Sequence, residues 1–312
     1  MKTILTKSPV EAAGFIRRGG LAAFPTETVY GLGANVFDER AVEKIFIAKG
    51  RPPDNPLIAH VGNLAQIKLL TSEITPSARK FIEAFFPSPL TLVLPKAEKV
   101  PLAATANLQS VGVRMPNSRF ALEFLKACAT PVAAPSANLS GKPSPTTWQA
   151  VFEDLNGRID CILQGEMTEI GLESTVVDCT SDIPLVLRAG AITLENLRQI
   201  VPETRLYELA ETEAAKSPGL RHKHYSPRAR VILVSPESRI ESREKKAFIG
   251  LSEPGQKFDL TKICRTIEEY AHEVFNFFRE CDRRAVETIY CQTVEEKGIG
   301  LALMDRLKRS SR

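Results

Sequence analysis

The chain has 312 residues, of which 43% are hydrophobic and 25% charged, and its formal net charge is +4. This balance is typical of a globular protein with one large domain or two ordinary ones. It excludes an unstructured polar chain, and the mild positive charge permits anionic ligands without requiring them.

Membrane and extracellular classes are also disfavoured. The first residues lack the apolar segment of a signal peptide, and no apolar run reaches the roughly 18 residues of a membrane span. The six cysteines show no C-x-x-C spacing, which argues against a zinc ribbon or a redox dithiol. We therefore expect a cytoplasmic protein without membrane contact, whose cysteines are reduced and buried.

The first two-thirds of the chain alternate short apolar runs with amphipathic stretches. Asp38 can cap a helix that reaches Ala48, and Thr75 followed by Pro76 can open a second one. The segment PTETVYGLG reads as a turn-rich connection. Strand candidates are LAAF, PLIAHV, LTLVL, VGVRM, PVAAPS, CILQG, STVVD and LVLR. This alternation predicts an α/β domain over residues 1–203, with a mixed twisted sheet in three layers and LENLRQIV as its last helix.

A different composition follows. Residues 204–230 are charged and proline-containing with almost no apolar periodicity, which predicts a linker. Beyond it, RVILV, KAFIGL and ETIYC read as strands, while YAHEVFNFFREC and GLALMDRLKRSSR read as helices. We expect residues 231–312 to form a small Rossmann-like α/β domain with a parallel sheet.

Common nucleotide-binding and hydrolase motifs are absent, including the P-loop and the third glycine of a dinucleotide-binding turn. Instead, polar clusters follow the predicted strands. In KGRPPDNPL, prolines restrict the backbone on both sides of Asn55. Lys49 and Arg51 there suit a polyphosphate, or they simply complement the dipole of the preceding helix.

Other clusters are equally ambiguous when taken singly. Arg114 lies in an apolar strand, so it either forms a salt bridge or faces a ligand carboxylate. The loop AAPSANLSGKPSPT offers many small donors for a phosphate or ribose. His60, inside PLIAHV, is either a core residue or a ligand contact. His222 and His224 lack a nearby third metal ligand, which favours a basic lid over a metal site.

Taken together and in order, the segments PTETVYGLG, KGRPPDNPL, IAHV, PLTLVL, VGVRMP, AAPSANLSG, GLESTVVD and LRAG closely resemble the YrdC-type threonylcarbamoyl-AMP synthase family. SPGLRHKHYSP followed by a small α/β domain resembles the long, two-domain branch of that family. The resemblance covers nearly the whole chain and is densest over residues 22–190. Ser88 and Ala189 stand where Gly and Pro are common in the family.

The resemblance implies a nucleotidyltransferase that makes L-threonylcarbamoyladenylate from L-threonine, bicarbonate and ATP and releases pyrophosphate. The product serves the tRNA threonylcarbamoyl-transfer machinery, which modifies the adenosine next to the anticodon in tRNAs reading codons that begin with A. Mg²⁺ is expected to bridge the phosphates without a dedicated carboxylate cage. A linker that folds over bound ATP as a gate is expected as well.

The resemblance also assigns site residues. Lys49 and Arg51 are implied as catalytic groups. The ATP contacts are implied to be Arg51, Asn55, Ser110, Ser136, Ser144, Arg188 and Tyr225. Those to threonine are implied to be Thr28, His60, Arg114, Ala134 through its backbone, and Ser174. No metal ligand is assigned.

Two other functions remain open. A non-catalytic protein of the same fold could bind double-stranded RNA or tRNA, and even the enzyme allows a weak tRNA contact. Against pure RNA binding, the cations lie in separate clusters without an aromatic stacking platform. A maturation factor that uses carbamoyl phosphate is disfavoured because its zinc-finger cysteine pairs are absent.

Overall fold

The computed structural model describes residues 2–207, 225–235, 238 and 245–311. Within these residues, eleven strands form one large sheet and four form a second, smaller sheet. The predicted lid histidines, His222 and His224, and most of the segment 217–227 lie outside the described residues.

The large sheet belongs to the first domain. Its strands are β1 (Ile4–Thr6), β2 (Ala22–Phe24), β3 (Gly31–Asn35), β4 (Ile58–His60), β5 (Leu90–Pro95), β6 (Ser110–Arg114), β7 (Val132–Ala133), β8 (Cys161–Leu163), β9 (Thr175–Asp178), β10 (Leu185–Arg188) and β11 (Arg205–Leu206). Their order is β1-β8-β2-β3-β7-β4-β6-β5-β9-β10-β11. Strand β5 runs antiparallel to β6 and parallel to β9, which confirms the predicted mixed sheet. Strand β11 pairs with β10, so the sheet reaches into the segment predicted as linker.

Helices cover both faces of this sheet. They are α1 (Pro9–Arg17), α2 (Glu39–Lys49), α3 (Pro76–Phe85), α4 (Leu102–Thr105), α5 (Arg119–Cys128), α6 (Trp148–Leu155) and α7 (Leu194–Ile200), with a 3₁₀ helix at Leu64–Leu69. Successive residues of β2 enter different cores: Ala23 packs with α2, whereas Ala22 and Phe24 pack with α1 and α5. Because neighbouring strand residues point to opposite faces, this alternation confirms three layers.

The two helices with predicted N-terminal caps are confirmed. The Asp38 carboxylate accepts a hydrogen bond from Ala41 N–H at 3.1 Å, and α2 ends at Gly50, whose φ of 60° is left-handed. Thr75 caps α3, with Pro76 in its first turn.

The turn predicted over the whole of PTETVYGLG is wrong in its last three residues. Gly31–Asn35 form β3, which pairs antiparallel with β2. Gly33 permits this close pairing, because a Cβ there would lie 2.7 Å from Val132 Cγ1.

The second domain contains β12 (Arg230–Val234), β13 (Lys246–Gly250), β14 (Leu260–Ile263), β15 (Thr288–Gln292), α8 (Ile267–Arg283) and α9 (Ile299–Ser310). Its strands pair in the order β12-β15-β13-β14, always in parallel, as predicted. Both helices pack on one face of the sheet, and their core also takes in Leu172 and Tyr225. The two domains are therefore packed against each other.

The cysteines behave as predicted: all six are free and buried. Among the helices that the structure describes, none has the length and apolar character needed to cross a bilayer.

Candidate active site

A cleft opens where several strands of the large sheet end. Strands β4, β6 and β10 run in the same direction, so their carboxyl ends lie along this cleft and present His60, Arg114 and Arg188. The empty space between its walls is about 730 Å³ and includes open solvent. Most of the predicted site residues line it: Thr28, Arg51, Asn55, His60, Arg114, Ala134, Ser136, Ser144, Ser174, Arg188 and Tyr225.

Two predicted residues lie outside the lining. The buried Lys49 ammonium donates to the carbonyl oxygens of Ser136 at 2.5 Å and Asn138 at 2.7 Å, so it ties down the loop after β7. Burial and the nearby Arg51 lower the pKa of Lys49 well below its usual value. Ser110 lines a small neighbouring cavity, which shares Pro56 with the cleft.

Arg114 has the electrostatics of an anion-binding group. Its Nη2 lies 2.7 Å from the Glu27 carboxylate, and its Nη1 donates to Thr28 Oγ1 at 2.8 Å. The guanidinium is buried, and its Nε has no hydrogen-bond partner among the described residues. A buried donor without a partner is costly, so a ligand carboxylate at the cleft wall would stabilise it. The two sequence alternatives for Arg114, salt bridge and ligand contact, are therefore compatible.

His60 combines burial with a position on the cleft wall. Burial and the nearby Arg114 lower its pKa to about 3, so the imidazole is neutral at physiological pH. The Nδ1 atom lies 3.2 Å from the Ile58 carbonyl oxygen, and the ring meets Phe24 edge-on at 5.7 Å between centroids. A neutral ring here can face an amino acid without adding charge.

The KGRPPDNPL loop brings a second cation to the cleft. Arg51 Nη2 donates to the Asn55 carbonyl oxygen at 3.0 Å, which fixes the turn between the prolines. Burial lowers the pKa of Arg51 to about 10, so the side chain stays charged at neutral pH.

Arg188 connects the residues predicted for ATP with those predicted for threonine. Its Nε donates to the Ser174 carbonyl oxygen at 2.9 Å, and its Nη2 donates to Ser174 Oγ at 3.1 Å. Ser174 Oγ in turn lies 2.8 Å from Thr91 Oγ1.

Two charged groups of the cleft, Lys142 and Glu173, lie in motifs that the sequence analysis singled out, AAPSANLSGKPSPT and GLESTVVD, but were not assigned as site residues. The Glu173 carboxylate accepts from Ser144 Oγ at 2.5 Å and from Arg306 Nε at 3.0 Å. Although burial raises the pKa of Glu173, Arg306 and Arg188 outweigh it and hold the pKa below its usual value. The described lining contains four cations, Arg51, Arg114, Lys142 and Arg188, against the one carboxylate of Glu173, and this excess favours anionic ligands.

Tyr225, near the C-terminal end of the linker, lines the cleft. Its ring stacks on Phe275 of the second domain with centroids 5.3 Å apart. In the described part of the chain, no group of three or more His, Cys, Asp or Glu side chains could hold a metal ion.

Two family profiles together cover most of the chain. Residues 14–190 match the Sua5/YciO/YrdC profile, described as telomere recombination, and residues 192–311 match the C-terminal domain of threonylcarbamoyl-AMP synthase. The chain belongs to the Sua5/YrdC family, in its two-domain branch. The predicted resemblance is thereby confirmed.

Relatives of this Sua5/YrdC member are similar over nearly their full length. Curated threonylcarbamoyl-AMP synthases of Pyrococcus abyssi and Bacillus subtilis are 45% and 39% identical to it, over 96% of this chain and 93% and 92% of their own. The crystal structure of P. abyssi Sua5 complexed with L-threonine superposes with a TM-score of 0.92 at 43% identity, covering 99% of this chain and 97% of that one.

Proposed function

We propose that this enzyme synthesises L-threonylcarbamoyladenylate from L-threonine, bicarbonate and ATP and releases pyrophosphate. The product would serve formation of threonylcarbamoyl-adenosine next to the anticodon of tRNAs that read codons beginning with A. Full-length similarity to curated threonylcarbamoyl-AMP synthases supports the activity. The observation that carries it is the cleft, whose lining combines Arg114, with its buried Nε unpartnered among the described residues, with two further cations, Arg51 and Arg188.

In this proposal, threonine occupies the part of the cleft around Arg114, which would bind its carboxylate. Thr28, the neutral His60 and Ser174 would surround the rest of the amino acid. Since the Ala134 N–H already donates to the Ile58 carbonyl oxygen at 2.8 Å, we assign the backbone contact of Ala134 to its own carbonyl group.

ATP would occupy the other part, with Arg51 and Arg188 neutralising phosphate charge and Asn55, Ser136, Ser144 and Tyr225 fixing the nucleotide. Ser110 would contribute from the adjoining cavity. Lys49 would act by holding the loop of Ser136 rather than by touching phosphate, which makes it a positioning residue.

The chemistry requires little proton transfer. A carbamate oxygen of N-carboxylated threonine attacks the α-phosphorus, a new P–O bond forms, and the bond to pyrophosphate breaks. Because the nucleophile is already an anion, alignment and charge neutralisation lower the barrier without a strong general base. Among the described residues that line the cleft, the carboxylate is that of Glu173, which already accepts hydrogen bonds from Ser144 and Arg306. The cleft therefore agrees with a reaction that needs no strong general base.

We propose that Mg²⁺ accompanies the triphosphate. The Glu173 carboxylate is already hydrogen-bonded by Ser144 and Arg306, so we do not assign it as a ligand of the ion. The described residues do not form a carboxylate cage, so phosphate oxygens and water would supply the ligands, and the ion would lower the charge of the phosphates. We further propose that the enzyme acts in the cytoplasm and passes its adenylate to the tRNA threonylcarbamoyl-transfer machinery, with at most a weak tRNA contact of its own.

Pyrophosphate release tests the proposal. We expect release from ATP to require both threonine and bicarbonate, and to stop when either is omitted. A non-catalytic RNA-binding protein would bind a tRNA or a duplex RNA but release no pyrophosphate under any of these conditions. Release that ignores threonine would contradict the assigned reaction.

A further inference from the structure

Two arginines of the second domain reach into the walls of the cleft. Arg306 on α9 is fully buried and Arg279 on α8 is 5% exposed. Burying a guanidinium costs several kcal/mol unless each charge finds a well-placed partner. The partners of both arginines belong to the first domain or lie on their own helix.

Arg306 supports two groups behind the cleft. Its Nε donates to Glu173 Oε2 at 3.0 Å, and the other oxygen of Glu173 accepts from Ser144 Oγ at 2.5 Å. Its Nη2 donates to the carbonyl oxygen of Ala189 at 3.0 Å, directly after Arg188. One side chain of the second domain therefore fixes Ser144 and the backbone at Arg188, both proposed ATP contacts.

Other residues on the same face of α9 support a third group, Tyr225. Ala302, Arg306 and Ser310 recur at intervals of four residues and are all buried. Ser310 Oγ donates to the carbonyl oxygen of Tyr225 at 3.0 Å, and the Arg306 guanidinium lies 5.7 Å from the centre of the Tyr225 ring. Helix α9 thus holds the linker tyrosine against the cleft.

Arg279 acts on the loop that follows β7. Its Nη2 donates to the Pro143 carbonyl oxygen at 2.6 Å and to Asp154 Oδ2 at 2.8 Å. Asp154 also pairs with Lys142 at 2.8 Å, and Lys142 lines the cleft. The loop that carries Ser136 and Ser144 is therefore fastened from the second domain.

The threonine side of the cleft is held differently. Arg114 contacts Glu27 and Thr28, and His60 contacts Ile58 and Phe24, all of them in the first domain. Among the proposed threonine contacts, Ser174 lies next to the second-domain contacts, since it follows Glu173 and is bound by Arg188. Because Arg114 and His60 are held within the first domain, the second domain supports the ATP part of the cleft more than the threonine part.

We propose that Arg306 and Arg279 are positioning residues for ATP, and that the second domain serves to hold the ATP-binding half of the cleft in shape. This inference rests on the proposed function for the assignment of the two halves. It predicts a selective defect: loss of either arginine weakens ATP binding while leaving threonine binding nearly intact.

The test compares Arg306→Lys and Arg279→Lys with the full-length wild type. We expect the Kd of α,β-methylene-ATP, measured by calorimetry, and the KM for ATP to rise about tenfold. Lysine keeps the charge, but it lacks the separate Nε and Nη2 donors of Arg306, and its shorter side chain does not reach the position of Arg279 Nη2 between Pro143 and Asp154. The KM for threonine should stay within about twofold. Arg283→Ala is the matched control, since Arg283 lies 3.4 Å from Glu153 across the same domain interface and both side chains are about half exposed. It should leave both constants unchanged.

A second pair of variants separates positioning from folding. Arg306→Met alone would leave the Glu173 carboxylate buried without its charged partner, so the variant also carries Glu173→Gln. Thermal denaturation without ligand then shows whether this double variant is folded. The proposal holds if the folded double variant still loses ATP-analogue affinity selectively. It is overturned if ATP and threonine constants change equally, or if the Arg306→Lys variant retains wild-type ATP affinity. Should the wild type make no product while the arginine variants still lose analogue binding, the proposed reaction fails and the positioning role stands.

Discussion

At the residue scale, the cleft depends on a few buried charges whose partners decide what they can bind. Arg114 is the clearest, with one edge engaged by Glu27 and Thr28 and a buried Nε left without a hydrogen bond. We expect Arg114→Ala to raise the KM for threonine about 10- to 100-fold, the cost of one or two charge-assisted hydrogen bonds. The KM for ATP should change far less.

Steady-state kinetics with each substrate varied in turn checks this prediction. Arg119→Ala is the control, because the Arg119 side chain is 94% exposed and pairs only with Glu123 on its own helix in the described structure. If Arg114→Ala raised the KM for threonine and the KM for ATP equally, the assignment of Arg114 to the threonine carboxylate would be wrong.

His60 gives a pH-dependent prediction. The pKa of His60 is about 3 in the folded protein and about 6.5 in an unfolded chain. Between these values only the unfolded chain binds the proton, so the contribution of neutral His60 is complete above pH ~6.5 and is lost progressively as the pH falls. Between pH 7 and 5 the wild type should therefore lose about 2 kcal/mol more stability than His60→Phe.

Urea denaturation of both proteins at the two pH values measures that difference directly. Comparing the change with pH, rather than the absolute stabilities, cancels any packing cost of the substitution. Parallel pH profiles would show that His60 is not buried in its neutral form.

Most of the cleft lining was assigned through the family resemblance, which rests on the ordered motifs, whereas the strand-end clusters of Arg, Ser and Asn were ambiguous when taken singly. The pairing of Glu173 with Arg306 was beyond such reasoning. They are 133 residues apart, and an arginine on a predicted C-terminal helix resembles any solvated helix charge until the domains are packed. The assigned roles of the individual residues remain predictions.

At the scale of elements, the linker is the segment for which the sequence predicts a distinct role, that of a gate over bound ATP. Tyr225 lines the cleft and stacks on Phe275, so the described end of the linker already bridges the two domains. We expect deletion of residues 217–227 to lower both ATP affinity and product yield, because it removes Tyr225 from the cleft together with the segment that the sequence predicts to be a gate. Unchanged affinity and yield in calorimetry and product assays would rule out gating.

The domain contact at Gly171 is a second element-scale test. Its φ is +79°, and a Cβ there would lie 2.4 Å from the His272 carbonyl oxygen of α8, which backbone cannot easily relieve. Gly171→Ala should therefore destabilise the protein by about 3 kcal/mol in urea denaturation.

Gly255→Ala provides the matched comparison, since nothing lies within 4 Å of the added Cβ and its φ is not in the left-handed region. It should change stability by less than about 0.5 kcal/mol. Comparable losses in the two variants would mean that Gly171 does not set the packing of the domains.

Helix-end signals in the sequence predicted some elements correctly, while other elements were missed or misread. Asp38 and Thr75 marked the starts of α2 and α3 correctly. Helix α1 was missed although Ser8, Pro9 and Glu11 form an N-terminal signal, with Ser8 Oγ accepting from Glu11 N–H at 3.3 Å. Strand β3 was read as a turn because its glycines, which the sheet needs for close packing, locally resemble turn residues.

At the scale of the whole molecule, composition said little about function: a net charge of +4 is spread over a large surface. What matters is the convergence of Arg51, Arg114, Lys142 and Arg188 on one cleft, with one wall of that cleft fastened by the second domain. The order of the motifs in the sequence, through the family resemblance, indicated this convergence. The contacts of the second domain with the cleft wall could be recognised only in the folded structure.

Mass spectrometry of the product made from ATP, threonine and ¹³C-bicarbonate tests the central claim most directly. The account predicts an adenylate that contains threonine, carries the heavy carbon in its carbamoyl group and forms only when all three substrates are present. Recovery of unmodified threonine with ordinary nucleotide hydrolysis products, or of an adenylate without the label, would contradict it.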